Sequence, residues 1–149
     1  HELGVIHRDL HPGNVMLCSD GRIKLLDFGI SRSVMDSAMT ATHTILGSLP
    51  YMAPELLRRE PASPASDVFA LGVIAVQVLT GHRIWQGELT IEIISEITRY
   101  HGIDDSILAA LDPRVAALLR RMVDLNPRNR CSANDVLSVF VAPCTTTAS

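Results

Sequence analysis

The stretch from Val68 to Leu79, interrupted only by Gln77, constrains the fold of this chain more than any other feature. It falls short of the ~20 residues that span a bilayer. It is also apolar nearly all round a helix, which predicts a buried, central helix. Ser66 is placed as the cap of that helix, with Thr80 near its end and Gly81 just past it. A chain of 149 residues is long enough for one domain wrapped around such an element.

The remaining segments supply what would pack around it. Val5-Ile6, Val15 to Cys18 and Ile23 to Leu26 are short β-rich runs, the last two joined by the turn-forming Ser19-Asp20-Gly21-Arg22, so a small sheet beside a loop is expected. Periodicity is lost from Ile30 to Pro50, a long segment of the functional or mobile kind. Ile91, Ile94 and Ile97 at helical spacing predict a helix over 88–100. Asp112-Pro113 starts another through Leu125, and Ser132-Ala133-Asn134-Asp135 resembles an acidic capping box before Val136 to Val141. The fold class is therefore mainly α with a small β-hairpin. Residues 1–142 are expected to form the folded part and 143–149, rich in Thr, a disordered tail.

Composition excludes several function classes. Apolar residues make up 47% and charged residues 19% of the chain, and mean hydropathy is +0.22, a globular balance. A net charge of −3 without a basic run argues against nucleic-acid and anionic-membrane partners. Cys18, Cys131 and Cys144 are scattered, with no metal or redox spacing, so a reducing, cytoplasmic or nuclear setting is expected. The opening His1-Glu2-Leu3-Gly4 has no signal-peptide pattern, and the chain is expected to be truncated rather than targeted.

His7-Arg8-Asp9-Leu10-His11-Pro12-Gly13-Asn14 followed by Asp27-Phe28-Gly29 resembles the catalytic loop and metal-binding motif of eukaryotic-type protein kinases. Either triplet alone would pass for a turn or a strand end. Together, with Asn14 five residues and Asp27 eighteen residues beyond Asp9, they carry the resemblance. It continues through Gly47 to Glu55, Ser66 to Gly72, and Leu125-Asn126-Pro127 to Arg130. The resemblance implies a kinase C-terminal lobe, cut from its N-terminal lobe just before the catalytic loop. It implies transfer of the ATP γ-phosphate to a protein substrate, with Asp9 as base and Asn14 and Asp27 as ligands of Mg²⁺ on the nucleotide. His7 and Phe28 are implied as packing residues. Glu55 and Arg130 are implied as an ion pair, and Asp67 as an acceptor for catalytic-loop N–H groups.

The same resemblance carries regulation. Arg8 before Asp9 implies activation by a phosphate on the following segment; Thr44 is the favoured acceptor, Thr40 and Thr42 are rivals, and Arg32 is a second basic residue of that pocket. Thr44→Ala in an intact enzyme is expected to lower activity severalfold; unchanged activity and no phosphate at Thr44 would discard the assignment. The approach to Pro50-Tyr51-Met52-Ala53-Pro54-Glu55 is similar to that of serine/threonine kinases.

Two positions depart from the pattern. His11 stands where such kinases place a lysine that contacts the transferring phosphate, and Gly13 replaces an acidic residue that many use to select basic substrates. A neutral imidazole donates a hydrogen bond without full charge, so weaker and pH-dependent stabilisation is expected. The string His11-Pro12-Gly13-Asn14 also resembles the loop of small-molecule kinases of the aminoglycoside and choline type. Three readings stay open: a serine/threonine kinase whose isolated lobe is inactive without the missing N-terminal lobe, a pseudokinase or docking module, and a small-molecule phosphotransferase.

Overall fold

The computed structural model describes residues 1, 3–27 and 47–140. Six α-helices follow one two-stranded sheet among these residues: β1 (Val15–Leu17), β2 (Ile23–Leu25), α1 (Pro54–Leu57), α2 (Pro64–Thr80), α3 (Thr90–Thr98), α4 (Asp105–Leu108), α5 (Pro113–Met122) and α6 (Ala133–Phe140). Single 3₁₀ turns occur at Pro12–Asn14, Leu49–Tyr51 and Pro127–Asn129. Among the described residues the chain is thus mainly helical with one hairpin. Phe28, Arg32, the threonines at 40, 42 and 44, and the 143–149 tail lie outside the described residues.

β1 and β2 pair antiparallel, with Met16 opposite Lys24. Their turn is closed by Cys18 N–H donating to Arg22 O at 2.8 Å, with Gly21 at φ 80° where a side chain would be strained. Asp20 fixes the far side by accepting from Arg22 N–H at 3.0 Å. Val5-Ile6 is not a strand of this two-stranded sheet, and Val5 remains exposed.

Helix α2 is the central element, but it starts earlier than Ser66. Pro64 with its fixed φ takes the first helical position, and Ser66 accepts back from Ser63 N–H at 3.2 Å. Gly81 ends the helix at φ 73°, its N–H donating to Gln77 O at 3.0 Å. One side of α2 buries Phe69 and Val73 against Leu49, Trp85, Ile97, Tyr100 and Val123. The other buries Val68 and Val76 against Leu108, Leu119 and Met122. A Cβ on Gly72 would sit 2.8 Å from both Met122 Cβ and Val123 Cγ1, so the close approach of α5 to α2 depends on that glycine. Burial is not all-round: Leu71, Val78 and Leu79 are exposed, Val78 at 77%.

Two further helices are shorter than the periodicity suggests. Glu92 accepts from Glu88 N–H and Leu89 N–H, both at 3.0 Å, which holds those residues as a cap and starts α3 at Thr90. Helix α5 stops at Met122 because Asp124 and Asn126 turn the chain, accepting from Asn126 N–H at 2.8 Å and Arg128 N–H at 3.0 Å. At α6 the capping box is complete, with Ser132 N–H on Asp135 at 2.8 Å and Asp135 N–H on Ser132 Oγ at 3.2 Å.

The aperiodic run also ends in structure. Leu49–Tyr51 is a 3₁₀ turn anchored to the core, where Trp85 Nε1–H donates to Pro50 O at 2.7 Å. Trp85 in turn stands edge-on to Tyr100 with ring centroids 5.0 Å apart.

Candidate active site

The loop from His7 to Asn14 carries only one short turn of its own, so its shape is imposed by partners. The strongest is Asp67, buried in the first turn of α2. Its Oδ2 accepts from His7 N–H at 2.8 Å and its Oδ1 from Arg8 N–H at 2.9 Å. Those two bonds hold Arg8 at φ 70°, a left-handed conformation that a long side chain adopts only when its surroundings over-determine it. Asp67 Oδ2 also meets His1 Nε2 at 2.9 Å, a contact that no motif signalled.

Past that bend, Asp9 is half-buried, and its carbonyl accepts from the buried Asn14 Nδ2–H at 2.9 Å. This fixes the Asn14 amide so that its oxygen faces away from the Asp9 carbonyl. The hairpin then returns the chain: Leu26 N–H donates to Asn14 O at 2.9 Å, and His7 Nε2–H donates to Leu26 O at 2.8 Å. Asp27, next in sequence, is thereby delivered beside Asn14, exposed and at φ 54°. Three non-glycine residues among those described have positive φ, and two of them, Arg8 and Asp27, flank this site. His11 lies on the same side, its Nε2 3.8 Å from Asp9 Oδ2.

The donor set suits a hard cation. An amide oxygen and a carboxylate are the oxygen ligands Mg²⁺ takes, and that ion keeps waters and phosphate oxygens in its other positions, so two protein ligands suffice. Asn14 and Asp27 fit it on this chemistry.

Arg8, Asp9 and Leu10 of the loop share a cavity of only ≈ 10 Å³ with Ser48 and the Tyr51–Ala53 segment. That segment leads into α1 and the buried pair. Glu55 Oε1 and Oε2 accept from Arg130 Nη1–H at 2.7 Å and Nη2–H at 2.8 Å. The remaining guanidinium donors reach Asp124 O at 2.8 Å, Ala65 O at 3.0 Å and Leu125 O at 3.4 Å, so all five N–H groups are used. Arg130 also lies 4.7 Å from the centroid of the Phe69 ring. Burial by itself would raise the Glu55 carboxyl, but the bonds from Arg130 and from Ser66 outweigh it and hold it below the ordinary range. Ser66 thus does two things the cap assignment did not foresee. Its Oγ–H donates to Glu55 Oε1 at 2.9 Å while the same oxygen receives Ser63 N–H.

Arg8 is exposed, and its side chain forms no ion pair among the described residues. Arg32 and Thr44, the other members of the expected phosphate pocket, lie outside the described residues.

The protein kinase domain family matches residues 1–140, and the chain belongs to it, among the serine/threonine kinases of the eukaryotic type. Similar curated proteins include the serine/threonine-protein kinase PknL of Mycobacterium tuberculosis, 35% identical over 135 residues, which are 87% of this chain and 33% of that protein. Another is the probable serine/threonine-protein kinase PknB of Lactococcus lactis, 40% identical over 123 residues, covering 83% of this chain and 19% of the relative. The PknB relative in Corynebacterium glutamicum is 42% identical over 90 residues, or 59% of this chain and 14% of its own length. The chain therefore spans a third or less of these relatives.

Proposed function

We propose that this chain is the C-terminal lobe of a serine/threonine protein kinase, which with its N-terminal lobe moves the γ-phosphoryl group of ATP onto a Ser or Thr hydroxyl of a protein substrate. The observation that carries this reading is the double anchoring of Asn14. Its side chain holds the Asp9 carbonyl and its own carbonyl holds the strand end that precedes Asp27.

In the reaction, the substrate hydroxyl oxygen bonds to the γ-phosphorus, the bond from that phosphorus to the β–γ bridging oxygen breaks, and ADP leaves. Asp9 orients the hydroxyl and takes its proton. Asn14 and Asp27 hold Mg²⁺, which neutralises charge on the phosphates when bound. His11, with Nε2 3.8 Å from Asp9 Oδ2, would donate toward the transferring group, a weaker contribution than a full ammonium charge. Glu55, Arg130 and Asp67 support the site without touching substrate. The family resemblance assigns Arg8 and Arg32 to receive a phosphate on Thr44.

The loop His11-Pro12-Gly13-Asn14 keeps phosphorylation of a small molecule as the second reading. A phosphotransfer assay on the intact kinase, with ATP and Mg²⁺, separates the readings. Transfer to Ser/Thr peptides that is lost in Asp9→Asn supports the first. ATP consumption only with a metabolite supports the second, and no transfer to either makes the protein a docking module.

A further inference from the structure

The two residues that depart from the family pattern, His11 and Gly13, touch each other. His11 is the extended residue before the Pro12–Asn14 turn (φ −152°, ψ 166°), and Pro12 fixes the backbone between the pair. From there the imidazole folds back over residue 13, where Gly13 N–H donates to His11 Nδ1 at 3.2 Å. A Cβ on Gly13 would lie 2.8 Å from His11 Cε1 and 3.0 Å from Nδ1, closer than atoms can approach without one of them moving.

We infer that Gly13 is a positioning residue, the seat on which the His11 ring rests, and that the pair acts as one unit presenting a neutral Nε2–H donor beside Asp9. A backbone N–H can only donate, so Nδ1 is the acceptor and the ring proton sits on Nε2. That nitrogen is 3.8 Å from Asp9 Oδ2, too far for a hydrogen bond with it, and close enough for both groups to address one oxygen between them. The donor is therefore left available for the phosphoryl oxygen. A glycine at 13 and an imidazole at 11 require each other: a side chain at 13 evicts the ring, and a lysine at 11 has no use for the vacancy. Gly13 does not have a positive φ, so alanine there displaces the ring without straining the backbone.

The inference rests on the kinase reading of the site, and a double-mutant cycle in the intact kinase tests the two apart. Gly13→Ala should lower kcat about tenfold to a hundredfold with KM for ATP little changed, since displacing a catalytic group by ~1 Å can cost that much. In a His11→Ala background the same Gly13→Ala change should alter kcat by no more than about twofold. Equal losses in both backgrounds overturn the seat. Nitrogen NMR of ¹⁵N-histidine-labelled kinase, with the His11 signals assigned by His11→Ala, reads the tautomer without any turnover. An unprotonated Nδ1 and a protonated Nε2, both perturbed in Gly13→Ala, support it; a protonated Nδ1 in the parent protein overturns it even if Gly13→Ala folds poorly. Activity that survives Asp9→Asn sinks the kinase reading instead, and leaves the NMR result to decide the seat.

Discussion

The Glu55–Arg130 pair and the His7–Asn14 loop are built on opposite plans. Around Arg130 every donor has an acceptor, both charges are buried, and Phe69 lies against the guanidinium. Around Asp9 the backbone is bent into a left-handed conformation at Arg8, Asp27 is left-handed as well, and the side chains at 9, 11 and 27 are at least partly open to solvent. The first arrangement holds helices in place. The second keeps polar side chains accessible on a left-handed backbone, and needs rigid neighbours to do so. Asp67 is where the two plans meet, because its carboxylate belongs to the packed α2 and its partners belong to the loop.

If this division is right, substitutions in the two regions separate activity from stability. The largest effect is expected for Asp9→Asn, which should lower kcat by about 10²–10⁴-fold in the intact kinase while the unfolding free energy stays within about 0.5 kcal/mol. Loss of stability equal to the loss of rate would break the comparison. Glu55→Ala comes next: it leaves the Arg130 charge buried without its partner and should cost about 3–5 kcal/mol in denaturant unfolding.

That second site also has a pH signature. The Glu55 carboxyl is held below its ordinary value of 4.5, so the pair's contribution is complete above that pH and is lost as pH falls through the lower folded-state value. Acid unfolding curves should show this component in the parent chain and lack it in Glu55→Gln. The smallest of the three effects is expected at the junction. Asp67→Ala orphans the buried His7 N–H at a cost of about 1–3 kcal/mol, and by releasing the bend at Arg8 it should lower activity too. A fall in stability alone would place Asp67 with the helical region only.

The contrast also explains what could be read from residues in order. Signals that act within four or five positions were legible: the hairpin turn at Ser19 to Arg22, the Asp112 and Ser132 caps, and the Gly81 stop. Where local signals competed, the sequence reading placed boundaries wrongly. Pro64 outranked Ser66 as the start of α2, and the Asx turns at Asp124 and Asn126 ended α5 before Leu125. Within the site, the motifs pointed to Asp9, Asn14 and Asp27. They gave no sign of Ser66 as a partner of Glu55, or of His1 as a partner of Asp67.

By itself, then, the sequence determined the helical character of the described residues, the hairpin over 15–25 and the residue types available for phosphoryl chemistry, because propensity, capping and spacing are properties of neighbouring residues. The resemblance already implied that Glu55 pairs with Arg130 and that Asp67 receives loop N–H groups; only the tertiary structure decided that Arg130 also reaches the carbonyls of Ala65, Asp124 and Leu125, that Ser66 joins Glu55, and that His1 joins Asp67. Those meetings depend on how closely α2 and α5 cross at Gly72 and on which carbonyls surround a buried guanidinium. Helix crossings are set by packing against chain far away in sequence, and no local pattern encodes that distance.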